Sequence, residues 1–232
     1  MNKVAVLIAA GSGMGADAAK VLARDGFKIA IMSSSGKGEK LAKKLKGIGY
    51  TGSNLDPKKI EEFINIVLKK WGRIDVLVNS AGHGPKGEIL KITDEEWFRG
   101  METYYLNVVR AVRIVTPIMK KQKNGIIINI STYAVFEPEK NFPTSGIMRA
   151  SLSSFTKIYS DEYGKFNIRI NNILPGFIDS LKTKSEFVKR IPLKRVGRVN
   201  EISAIVRFLS STNGSYITGQ NIRIDGGITR SV

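Results

Sequence analysis

Short runs in which nearly every residue is apolar alternate along the chain with longer stretches whose apolar residues recur every three or four positions. The first run, VAVLIAA from Val4, precedes a stretch that places Met14, Ala18, Val21 and Leu22 on one helical face. KIAIM gives a second strand, and a weaker run near Tyr50 a third. Asp56 with Pro57 behind it reads as a helix start, followed by an apolar stripe of Ile60, Phe63, Ile64, Val67 and Leu68. IDVLVN is the fourth strand. Thr93 and Glu96 have the spacing of a capping box, and a longer helix is expected through Asn107 to about Lys120. GIIINIS and NIRINNIL read as strands five and six, flanking a helix expected from about Thr144 to Tyr163. Asn200 opens a last helix, and QNIRID closes the sheet.

Continuous apolar runs mark strands buried on both faces, and repeated strand–helix–strand units require right-handed crossovers. The pattern predicts an α/β fold: a single doubly wound Rossmann-type domain over residues 1–232, with a seven-stranded, mostly parallel sheet and helices on both faces. No linker, repeat or low-complexity segment interrupts it.

Composition narrows the function. With no cysteine in the chain, disulfides and thiolate metal sites are excluded, and no metal is expected; a reducing, cytoplasmic location suits this. The first apolar run is too short to span a membrane, so no membrane role is expected. The net charge of +17 raises nucleic-acid binding. Yet the lysines are spread over helix faces (Lys40, Lys43, Lys44 and Lys46; Lys69 and Lys70; Lys120, Lys121 and Lys123) without aromatic interleaving. Solvated faces explain them, nucleic acid is not expected, and attraction of an anionic substrate or cofactor is the remaining reading.

GSGMG lies between the first strand and the first helix. Glycines there let the backbone approach a pyrophosphate, and the helix N-terminus offers amide donors with a favourable dipole. Further on come NSAG from Asn79 to Gly82, NNILPG with Asn171, Pro175 and Gly176, and a terminal YITGQNIRIDGG. Together, in this order, they resemble the short-chain dehydrogenase/reductase family over essentially the whole chain. The family's opening T-G-x-x-x-G-x-G falls on Ile8, Ala9, Gly13 and Gly15; the glycines match, whereas Ile8 and Ala9 depart, and Gly11 is expected to relieve the turn in place of Ala9.

The resemblance implies a nicotinamide dinucleotide held by Gly11, Ser12, Gly13, Met14, Gly15, Asn54, Asn79, Ala81, Gly82, Pro175, Gly176 and Ile178. Where an acidic residue would hold the ribose of NAD, the second strand ends in MSSSGKG. Hydroxyls of Ser33 and Ser34 with the charge of Lys37 favour NADP over NAD.

In the family a serine, a tyrosine and a lysine act with an asparagine. The asparagine falls on Asn107 and the serine on Thr132, with Ser131 the alternative. The tyrosine and lysine positions hold Ser145 and Arg149, and no other tyrosine has a lysine four residues on. A serine hydroxyl is a far weaker acid than a phenol, and arginine stays protonated. Three replacements for the proton donor are open: water held by Ser145 and Asn107; Tyr133 reaching in from the loop after strand five; or an acid group on the substrate, with Arg149 pairing to its carboxylate or phosphate. His83, after NSAG, is either a cleft-rim or a surface residue. The segment from Asp179 to Arg195 is expected to shape the substrate side. The expected activity is that of an NAD(P)(H)-dependent oxidoreductase of carbonyl or alcohol substrates with an altered site. The alternative is a non-catalytic NADP(H)-binding sensor or assembly protein. By resemblance, a homo-tetramer or homodimer is expected.

Overall fold

A computed structural model describes residues 3–232. Strand β1 (Val4–Ile8) leads into α1 (Gly13–Arg24), then β2 (Lys28–Ser33), α2 (Lys37–Lys44), β3 (Ile48–Thr51), α3 (Pro57–Trp71) and β4 (Val76–Asn79). The second half runs α4 (Asp94–Met101), α5 (Asn107–Gln122), β5 (Gly125–Ile130), α6 (Pro143–Tyr163), β6 (Ile168–Pro175), α7 (Ser185–Arg190), α8 (Val199–Ser210) and β7 (Gln220–Ile224). All seven strands form one sheet in the order β3-β2-β1-β4-β5-β6-β7, and every neighbouring pair is parallel.

The two helical layers follow from the apolar stripes. Ile60, Phe63 and Ile64 of α3, Val108 and Val112 of α5 and Leu152 of α6 pack on one sheet face. Ala18 and Leu22 of α1, Ala42 of α2, and Ile202 and Val206 of α8 pack on the other. Asp56 caps α3 by accepting from the Lys58 and Lys59 amides, and Thr93 with Glu96 completes the capping box of α4. Between α4 and α5 the chain widens into a π-helical turn, Glu102–Leu106, so the long helix expected through Asn107 begins there. The segment expected only as a substrate-side loop contains α7.

Along one line across four adjacent strands the core turns polar. Asn79, Asn129, Asn172 and Asn221 stand in register, and each side-chain amide donates to the next carbonyl at 2.8–2.9 Å. Thr156 of α6 donates to the Asn172 carbonyl at 3.1 Å, tying that helix to the ladder. Buried amides are costly unless paired, and this chain of bonds pairs them, the buried Asn79 Oδ1 at its end excepted, while fixing the register of the strands beneath the site.

Candidate active site

The strand order reverses between β1 and β4, and parallel sheets of this kind bind ligands at that point, outside the carboxyl ends of the strands. A cleft of about 530 Å³ opens there. Met14, Ala81, Gly82, Pro175, Gly176 and Ile178 line it, and so do Ser131, Thr132, Ser145 and Arg149. The turn into α1, the chain at the ends of β4, β5 and β6, and helix α6 thus bring these sequence-predicted residues to one place.

The turn into α1 is built as its glycines require at two positions. Gly13 has φ 55°, in the region that disfavours side chains, and a Cβ on Gly15 would sit 2.9 Å from Ala10. The expectation for Gly11 is corrected: its φ is not positive, and Ala9 itself takes the left-handed conformation, φ 57°. Gly11 instead allows close approach, since a Cβ there would stand 2.9 Å from Ser33 Oγ. Ser12 precedes α1 without a side-chain cap bond, leaving the first-turn amides for a ligand.

Ser33 is also corrected. It is buried; its hydroxyl donates to the Ser35 carbonyl and accepts from the Gly38 amide, so it holds the turn rather than a phosphate. Ser34 and Lys37 are exposed at the start of α2. Asn79 belongs to the asparagine ladder. The side-chain nitrogen of Asn54 and the Ser131 hydroxyl are buried without a hydrogen-bond partner among the described residues. Such orphaned groups are costly unless a ligand or water satisfies them, and together with the open amides they fit a dinucleotide.

At the other end of the cleft, Thr132 Oγ1 accepts from the Ala134 amide at 3.3 Å, leaving its own proton free. Ser145 and Arg149 lie one turn apart on α6, and Arg149 Nη1 donates to Ser145 Oγ. The guanidinium carbon stands 4.2 Å from the centroid of the Tyr104 ring. No carboxylate lies within ion-pairing distance of Arg149 among the described residues, and desolvation pushes its pKa down to about 10, opposed by Tyr104. A desolvated cation without a counter-ion is a site for an anion.

Two expectations for the proton donor are not supported by the geometry. Asn107 does not line the cleft; it is buried, its amide donating to the Ser80 carbonyl at 3.4 Å and its carbonyl accepting from Val108, so it does not share a water with Ser145 there. Tyr133 does line the cleft, but its hydroxyl donates to Glu139 at 2.9 Å. Burial and that carboxylate both push the Tyr133 pKa upward, which makes it a poor acid. Glu139 also pairs with Arg190 and so fastens α7 over the cleft. His83 is on the rim; desolvation, Lys86 and Arg149 lower its pKa, keeping it neutral at pH 7.

Sequence reading missed several lining residues. Tyr104 enters from the π-helical turn, and its oxygen accepts from the Gly84 amide at 2.5 Å. Phe177 and Phe187 stack at 4.7 Å, making an aromatic wall beside Leu181. Lys86, Lys182 and Lys184 join Arg149 around the opening, against the single acid Glu186. The only sequence signal for this was the run of cations after strand six.

Fold and site together define a dinucleotide-binding α/β protein. The profile of the enoyl-(acyl carrier protein) reductase family matches residues 8–229. The chain is 31% identical over 240 residues to a 3-oxoacyl-(acyl-carrier-protein) reductase of Thermotoga maritima, covering 98% of each. It is 32% identical to the enzyme of that name from Chlamydia trachomatis over 242 residues, again 98% of each. The crystal structure of YwfH, an NADPH-dependent reductase involved in bacilysin biosynthesis, superposes with a TM-score of 0.94 at 27% identity, covering 100% of both chains. The chain belongs to the short-chain dehydrogenase/reductase family. Among its described residues, no helix is long and apolar enough to cross a membrane.

Proposed function

We propose that this protein is an NADP(H)-dependent oxidoreductase that reduces the carbonyl of a small anionic substrate. One observation carries the reading: the α1 turn, the loop after β4, the Pro175–Gly176 segment and Ser131, Thr132, Ser145 and Arg149 converge on one cleft. The α1 amides suit the pyrophosphate, and Ser34 and Lys37 suit the 2′-phosphate of NADP. Ser131, Thr132 and Asn54 have hydrogen-bonding capacity left for cofactor or substrate. When bound, NADPH supplies hydride.

Ser145 and Arg149 stand where the family carries its tyrosine and lysine, so the site is an altered one. Arg149 acts as an anchor for a carboxylate, aided by the surrounding lysines, while Phe177 and Phe187 accept an apolar body. Benzoylformate, an aromatic 2-oxo acid, contains each of these features. Its methyl ester keeps the ketone and removes the charge.

NADPH should bind more tightly than NADH in a fluorescence titration. NADPH oxidation should then proceed with benzoylformate at a kcat/KM at least tenfold above that with the ester. Binding of NADPH with no oxidation by either probe would make the protein a non-catalytic nucleotide binder. Assembly as a homodimer or homo-tetramer is supported by the exposed face of α6, where Ile158 is 66% exposed beside the small residues Ala150, Ser151 and Ser154. Sedimentation as a monomer at micromolar concentration would exclude it.

A further inference from the structure

An altered site leaves a chemical gap: hydride transfer to a carbonyl carbon puts charge on oxygen, and some acid must neutralise it. Within the cleft Tyr133 is committed to Glu139, and the hydroxyls of Ser131, Thr132 and Ser145 are weak acids. Tyr104 is different. Its phenol accepts from the Gly84 amide but donates to no acceptor among the described residues, so its proton is uncommitted. The residue is 3% exposed and lines the cleft, shielded from bulk water. Arg149 lies against its ring at 4.2 Å, and Ser145 accepts a bond from that same guanidinium. A phenol with an adjacent cation is thereby assembled from two helical segments instead of one.

We infer that Tyr104 is the proton donor of this site, with Arg149 and Ser145 as its positioning residues. The inference rests on the reductase reading and assigns that site its acid. In the step, the carbonyl π bond breaks as the hydride that NADPH would supply, leaving NADP⁺, bonds to carbon. The electron pair moves to oxygen, which takes the proton as the Tyr104 O–H bond breaks. The phenolate left behind, whose oxygen accepts from the Gly84 amide, takes a proton back from solvent.

Tyr104→Phe keeps the ring, its packing and its contact with Arg149, and removes only the hydroxyl. It should lower kcat for benzoylformate reduction by about 10²- to 10⁴-fold while NADPH affinity and KM change less than about threefold. A second measurement needs no turnover. In a complex with NADP⁺, benzoylformate should show its ketone stretch shifted to lower frequency by the Tyr104 hydrogen bond, and Tyr104→Phe should abolish that shift. The double variant Tyr104→Phe, Ser145→Tyr separates lost chemistry from lost folding: a phenol from α6 should restore rate and stretch. A Tyr104→Phe protein with wild-type kcat, or a ketone stretch indifferent to the substitution, overturns the assignment. A wild type that shifts the stretch yet never oxidises NADPH overturns the reductase reading instead.

Discussion

The two ends of the cleft are built from different materials. At the nucleotide end the groups that would meet the ligand are backbone amides at the start of α1 and exposed polar residues before α2. At the substrate end they are side chains from separate segments: Tyr104 from the π-helical turn, Arg149 and Ser145 from α6, Phe187 from α7. A backbone-built end constrains sequence mainly through glycines at fixed spacing. A side-chain-built end is free to exchange its chemistry, provided the new groups still meet across the cleft. One fold can therefore keep its cofactor end while its reacting end is exchanged.

The largest expected effect on binding breaks the substrate end alone. Arg149→Met preserves length and apolar packing but removes the cation. Loss of a charged hydrogen-bonding partner costs about 1.5–3 kcal/mol, so affinity for benzoylformate should fall about 10- to 100-fold with NADPH affinity less affected. Stability should move the other way. The folded-state value of about 10 lies below the ordinary arginine range, so the unfolded chain holds this proton more tightly than the native one. Charged Arg149 therefore costs stability at every pH below about 10, and the cost fades as pH rises from there toward the ordinary arginine range. Discounting for cleft water, Arg149→Met should gain about 1–2 kcal/mol at pH 7 by urea denaturation. A less stable variant would mean that the contact with Tyr104 outweighs desolvation.

A change at the nucleotide end should leave the substrate end untouched. Lys37 is exposed at the first position of α2, beside Ser34. Lys37→Asp puts a carboxylate where a 2′-phosphate would sit, and the ratio of NADPH to NADH affinity should fall about tenfold or more, one charge pair being worth on the order of 1–2 kcal/mol at a partly solvated site. Benzoylformate KM should not change. An unchanged cofactor ratio would place the 2′-phosphate away from α2.

The same contrast explains what the sequence made legible. Apolar runs specified seven strands and their partner helices because burial on both faces leaves a direct trace in residue type. Asp56, Thr93 and Glu96 were readable as caps because a cap bonds to neighbours within four residues. The gathering of Ala81, Gly82, Pro175 and Gly176 followed from motif order. Long-range side-chain bonds leave no such trace. Asn107 looked catalytic by position, but its amide reaches Ser80. Tyr133 looked available by sequence, but its hydroxyl donates a hydrogen bond to Glu139, six residues on. Tyr104 lacked the expected lysine four residues later, and its cation came from α6, a separation no periodicity records. The asparagine ladder was likewise invisible, because register between strands, not spacing within them, aligns it.

The smallest effect tests whether the backbone-built end is at its optimum. Ala9 sits at φ 57°, where an L side chain crowds the following carbonyl at a cost of about 1–2 kcal/mol. Ala9→Gly removes that strain. Against the gain stand the greater freedom of glycine in the unfolded chain, about 0.5–1 kcal/mol, and part of a methyl group's burial, up to about 0.8 kcal/mol. Ala9 is only partly buried against the core, so the methyl contributes less than that maximum. The terms leave a net stabilisation of about 0.5 kcal/mol, or roughly 1–2 °C in Tm for a chain of this size. NADPH affinity should stay within about twofold, because Ala9 precedes the open amides of α1 and supplies no side chain to the cleft. A drop in Tm would show the methyl packing to be worth more than the strain, and the turn would then be tuned to alanine rather than tolerating it.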